Sequence, residues 1–80
     1  MKQKKILIIE DDIDLAKMVE NYLTREKYNV MICQQGDQAL HVVKEYQPDM
    51  VLLDLMLPGL DGLEILKEIR DTSVLPVIII

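Results

Sequence analysis

MVLLDLMLPGLDG, residues 50–62, runs four apolar residues into an aspartate and then sets down a proline and two glycines. A short, unbroken apolar run bounded by turn residues is the pattern of a strand buried on both faces, as in a parallel sheet. Asp54 stands at the mouth of that strand. A polar residue there often does no more than end the strand, whereas a reactive carboxylate held at a strand's carboxyl end is the sharper reading. The rest of the chain decides between them.

Downstream, Leu63, Leu66 and Ile69 recur at helical spacing and give a third helix with an apolar face. Asp61 is placed to cap it, with Glu64 reaching back as in an acidic capping box. Pro76 then introduces VIII, a fourth strand that runs to the last residue. Upstream, Gly36 and Asp37 open a second helix with Ala39, Leu40, Val43 and Tyr46 on its inner face, and Pro48 stops it. VMIC, residues 30–33, reads as the second strand. Before it, Leu15, Met18, Val19, Tyr22 and Leu23 form the stripe of an amphipathic first helix. KILII, residues 5–9, is the first strand, ended by Glu10, Asp11 and Asp12.

Strands alternating with helices in this way give a parallel sheet with helices on both faces, because crossovers between parallel strands are right-handed. At 80 residues the chain is one domain, near the lower limit for a core without disulfides or a bound metal. Three Tyr and no Phe or Trp make that core aliphatic. A fourth strand with nothing after it leaves an apolar edge, so the chain reads as a fragment, stabilised if that edge pairs with a second copy.

The net charge of −5 disfavours nucleic acid as a partner of this segment and favours cations. The single Cys33, in an apolar run, reads as a small buried hydrophobe. Lys2, Lys4 and Lys5 before ILII look superficially like a signal peptide. The acidic run at 10–12 cuts the apolar stretch far below signal or membrane length, so the expected location is cytoplasmic.

In an open parallel sheet, ligands gather beyond the carboxyl ends of the strands where strand order reverses. If the first strand lies between the second and the third, Glu10, Asp11 and Asp54 converge. Three clustered carboxylates must take up protons or recruit a cation, and an all-oxygen set favours a hard ion such as Mg²⁺. A metal beside Asp54 would offset its repulsion of an incoming phosphoryl group, leaving the carboxylate to attack phosphorus and form an aspartyl phosphate. The plainer alternative is that Glu10, Asp11 and Asp12 end a strand and feed a helix N-terminus, where acids are favoured anyway.

Along its whole length the sequence closely resembles the receiver domain of two-component response regulators, most specifically in ILIIEDD and LLDLMLPGLDG, with GDQAL as weaker support. The resemblance implies a flavodoxin-like doubly wound sheet of order 2-1-3-4, truncated after the fourth strand, with the fifth strand, last two helices and any output domain absent. It makes Asp54 the phosphoacceptor, Asp11 a direct Mg²⁺ ligand, Glu10 a ligand through water, and Met56 a ligand through its backbone carbonyl. Pro58 and Gly59 would shape the loop holding that carbonyl, and Gly62 would allow tight entry into the third helix. Asp12 would serve as a helix cap.

The implied donor is a phosphohistidine on a sensor histidine kinase, with the receiver catalysing only its own phosphorylation and dephosphorylation. His41, among charged neighbours on the second helix, reads as a solvated residue and not as a phosphate carrier. DLMLPGLDGLEIL is most similar to regulators that join a receiver to a winged-helix DNA-binding domain, which would make the parent a transcription factor.

Two rivals come from other classes. Haloacid-dehalogenase-like phosphatases also use an aspartate after a strand, but need a second as general acid two residues on, where this chain has Met56. Neither phosphate-cradling glycine loop, G-x-x-x-x-G-K-[ST] or G-x-G-x-x-G, occurs. The other rival is a receiver-like interaction module that binds a partner without being phosphorylated.

Overall fold

Strands and helices alternate along the chain in the computed structural model, which describes residues 3–57 and 61–80. Among the described residues the order is β1 (Lys5–Ile9), α1 (Ile13–Arg25), β2 (Asn29–Cys33), a 3₁₀ turn (Gly36–Gln38), α2 (Ala39–Tyr46), β3 (Met50–Leu53), α3 (Gly62–Thr72) and β4 (Val77–Ile79). The loop-shaping roles expected of Pro58 and Gly59 lie outside the described residues, as do Lys2 and Leu60.

The sheet is parallel with order β2-β1-β3-β4, as expected. β1 is central, and its Ile6, Leu7, Ile8 and Ile9 are all buried, which is why the run is apolar without alternation. Leu7 and Ile9 join Val51 and Leu53 of β3 in a core with Ala39 and Val43 of α2 and Ile65 and Ile69 of α3. Ile6 and Ile8 point to the opposite face by the two-residue period of a strand, and α1 packs on that side against β2. Each of the fully buried side chains Leu7, Ile8, Ile9, Val51, Leu53 and Ile69 contributes roughly 2 kcal/mol of burial free energy.

Helix ends follow local chemistry. Asp12 has extended backbone and accepts from the N–H groups of Asp14 and Leu15, capping α1. Asp61 caps α3 through the N–H of Leu63. α2 ends at Gln47, which takes left-handed geometry (φ 53°), and Pro48 follows.

Two expectations about helix faces and one about a helix end are corrected. On α1, Leu15, Met18 (67% exposed) and Tyr22 (62%) lie outward, and the seat on the sheet is Ala16 with half-buried Val19 and Leu23. A small residue at the seat lets the helix approach the sheet closely where it packs against β2. On α3, Leu63 is 59% exposed, and the buried stripe is Gly62, Ile65 and Ile69 with Leu66 at its margin. Nor does the Glu64 side chain close a capping box. It is exposed, and Glu64 bonds to Asp61 through its backbone, N–H to carbonyl oxygen at 3.0 Å.

Candidate functional site

The sheet ladder runs one step past the strands and fixes the backbone of both acidic positions. The Glu10 N–H donates to the Cys33 carbonyl and the Asp54 N–H to the Ile9 carbonyl, each at 3.0 Å. Ile9 pairs with both Cys33 and Leu53, so Glu10 and Asp54 emerge side by side at the carboxyl end of the sheet. Asp11 is the next residue along. One carboxylate oxygen from each of Glu10, Asp11 and Asp54 lies within 4.8 Å of the other two.

The three acids sit in different surroundings. Glu10 is buried (3% exposed), Asp54 half-buried and Asp11 exposed. Burial pushes the Glu10 carboxyl above its ordinary pKa. The Asp12 N–H, which donates to Glu10 Oε2 at 3.1 Å, pulls the other way, while the neighbouring Asp54 and Asp11 raise it further. Asp54 Oδ1 accepts the N–H of Met56 at 2.9 Å, a two-residue turn that steadies the carboxylate without burying it.

Past Asp54 the chain keeps a two-residue beat: Leu53 is buried, Leu55 is packed on the edge of the core and Leu57 is buried, while Met56 between them is 85% exposed. Leu55 and Leu57 thus anchor the loop from below. Their positioning role was missed in the sequence, although the L-x-L-x-L spacing from 53 to 57 was the signal for it. Gly62, at the start of α3, closes the loop against the Leu55 backbone, where a Cβ would fall 2.5 Å from the Leu55 Cα.

Of the site residues expected from sequence, Glu10, Asp11 and Asp54 are brought together. Met56 lies next to them through its amide, and Asp12 contributes its backbone N–H to Glu10 while its side chain caps α1. His41 is exposed on α2, and Cys33 is a buried free thiol. The donor set consists of oxygens only, with one buried carboxylate crowded by two like charges, and this fits a small hard cation and no soft one. Among the described residues no helix is long and apolar enough to cross a membrane.

Comparison with known proteins agrees with this architecture. Residues 6–80 match the family model of the response regulator receiver domain. The chain is 42% identical over 76 residues to the transcriptional regulatory protein BaeR of Escherichia coli, covering 95% of this chain and 32% of that protein. It is 38% identical over 78 residues to the DNA-binding response regulator MtrA of Mycobacterium tuberculosis, covering 98% of this chain and 34% of MtrA. It therefore spans about a third of the length of these relatives. Among solved structures, the BeF3-activated N-terminal receiver domain of Klebsiella pneumoniae RstA superposes with a TM-score of 0.91 at 34% identity, over 95% of this chain and 65% of that one. A parallel sheet of order 2-1-3-4, an acidic cluster at its carboxyl end and a family match over nearly the whole chain place this protein in the response regulator receiver domain family.

Proposed function

We propose that Asp54 is the phosphoacceptor of this receiver domain and that Glu10, Asp11 and Asp54, with the backbone carbonyl of Met56, hold Mg²⁺. The observation that carries this reading is the convergence of three carboxylates within 4.8 Å at the carboxyl ends of β1 and β3. Bound there, the metal supplies positive charge that offsets repulsion between Asp54 and an incoming phosphoryl group. Asp54 is the member suited to attack, because it is half-buried and oriented by the Met56 amide, whereas Glu10 is enclosed and engaged by Asp12. A carboxylate oxygen of Asp54 forms the new P–O bond as the P–N bond of the donor phosphohistidine breaks and its imidazole leaves with a proton.

Receiver domains of response regulators are phosphorylated by sensor histidine kinases, and such a kinase is the proposed donor here. The chain's only catalysis in this scheme is of its own phosphorylation and dephosphorylation, in the cytoplasm. The relatives named as DNA-binding or transcriptional regulators support a parent protein with a DNA-binding output domain. A second copy of the chain is a further proposed partner. Pairing of β4 with β3 leaves the N–H and C=O groups of Val77 and Ile79 directed away from β3, beside exposed Ile78 and Ile79. Light scattering at rising concentration is expected to show a dimer, and a constant monomer mass refutes that pairing.

The phosphoacceptor reading is tested by incubating the chain with a small acyl phosphate donor and Mg²⁺, then mapping the product by mass spectrometry. One phosphoryl group on Asp54 is expected, absent without Mg²⁺ and absent in Asp54→Asn. A folded chain that binds Mg²⁺ and remains unmodified points instead to an interaction module.

A further inference from the structure

We infer that Gly62 is a positioning residue for the metal-facing backbone, acting through Leu55. The inference rests on the metal-binding reading of the acidic cluster and adds to it a residue outside that cluster. Gly62 begins α3, eight positions after Asp54, yet its α-carbon is pressed against the residue that immediately follows Asp54. A Cβ at Gly62 would stand 2.5 Å from the Leu55 Cα, 2.9 Å from Leu55 Cδ2 and 3.0 Å from the Leu55 carbonyl carbon. Two of these three atoms are backbone, so no rotamer change of Leu55 relieves the contact.

The Leu55 backbone joins the two parts of the site that must agree. On one side it is bonded to Asp54, whose amide is held by Ile9. On the other it is bonded to Met56, whose amide holds Asp54 Oδ1 and whose carbonyl is the remaining proposed ligand. Restoring ordinary van der Waals distance requires a shift on the order of 1 Å, and displacements of that size matter most at sites with strict geometry. Mg²⁺ is such a case, because it demands near-octahedral placement of its ligands. The absence of a side chain at Gly62 thus sets how deeply the loop seats against the end of β3. The position needs a glycine for space; hydropathy patterns give a residue without a side chain no weight.

The test compares wild type, Gly62→Ala, Gly62→Ala with Leu55→Ala, and Asp61→Ala. The last removes the α3 cap without adding bulk at the loop. Mg²⁺ affinity is measured by calorimetry at a temperature where each variant is folded, and the Met56 amide resonance is followed without metal. Expected are a loss of about tenfold or more in Mg²⁺ affinity in Gly62→Ala, a size typical of supporting residues, together with a shifted Met56 resonance. Leu55→Ala is expected not to rescue either effect, and Asp61→Ala is expected to keep wild-type Mg²⁺ affinity at lower stability.

Wild-type affinity in folded Gly62→Ala, rescue by Leu55→Ala, or an equal loss in Asp61→Ala overturns the inference. If Gly62→Ala does not fold, a Mg²⁺ titration of the wild type decides: the Gly62 amide resonance is expected to move along the same isotherm as that of Met56, and a Gly62 resonance unmoved by Mg²⁺ overturns the inference. Failure of the wild type to bind Mg²⁺ refutes the metal-site reading separately. The Met56 resonance then still decides whether Gly62 positions the loop, an unchanged resonance in Gly62→Ala overturning that too.

Discussion

Replacing Asp54 by asparagine removes a charge while keeping the shape and the Oδ1 acceptor that binds the Met56 amide. The Glu10, Asp11 and Asp54 oxygens lie within 4.8 Å of one another. Two like unit charges at that separation repel by roughly 0.9 kcal/mol in bulk water and by about 3.5 kcal/mol at an effective dielectric constant of ~20. Glu10 is buried and Asp54 half-buried, so their pair lies between these limits, while exposed Asp11 is largely screened by solvent. Without metal, Asp54→Asn is therefore expected to stabilise the fold by about 1–2 kcal/mol, each kcal/mol raising the melting midpoint by roughly 4–8 °C in a domain of this size. With Mg²⁺ at ten times its Kd, the wild type gains about 1.4 kcal/mol through linkage, and the variant gains far less. Thermal unfolding by circular dichroism, first in chelator and then in Mg²⁺, reads both quantities. A variant less stable than wild type in chelator, or an equal Mg²⁺ gain in both chains, refutes the electrostatic reasoning.

The raised pKa of Glu10 sets a pH dependence for the metal-free chain. The folded state holds this proton more tightly than the unfolded one, so the associated stability is fully present below the ordinary value of 4.5 and is lost as pH rises through the higher folded value. Urea midpoints measured across that window in chelator are expected to fall with rising pH, and Glu10→Gln is expected to flatten the slope. Asp12→Ala removes the acceptor for two amides of α1 and is expected to cost about 1 kcal/mol in chemical denaturation while changing Mg²⁺ affinity little. Leu63→Gln, on the outer face of α3, is expected to change stability by less than about 0.5 kcal/mol, whereas Ile65→Ala, two residues on but buried, is expected to cost about 2–4 kcal/mol.

Element types were legible because apolar period and turn residues report on them directly: β1 buries every residue of ILII, and β1 and β3 end where acids begin, whereas strand order followed from the family resemblance and not from any period. The carboxylate cluster was legible once that order was taken, since order 2-1-3 leaves Glu10 and Asp54 abreast. Helix faces were less so. Leu15, Met18 and Tyr22 are apolar and regularly spaced, but spacing tells what a helix is able to bury and not what lies opposite it. Leu63 was assigned to the inner face of α3 because Gly62, the residue that touches the loop, carries no hydropathy signal. The seating of Leu55 and Leu57 depends on a third dimension that their alternation only hints at.

The extended ladder at the end of the sheet has a consequence for hydrogen exchange. The amides of Glu10 and Asp54 are bonded to the carbonyls of Cys33 and Ile9, so solvent reaches them only when β1 parts from its neighbours. That opening dismantles the centre of the core, and its free energy approaches that of global unfolding. The Met56 amide is bonded to a side chain on an exposed turn and is released by a local fluctuation. The pocket thus joins two cooperative units: a floor as persistent as the domain itself, and a rim that opens and closes many times before the domain unfolds once.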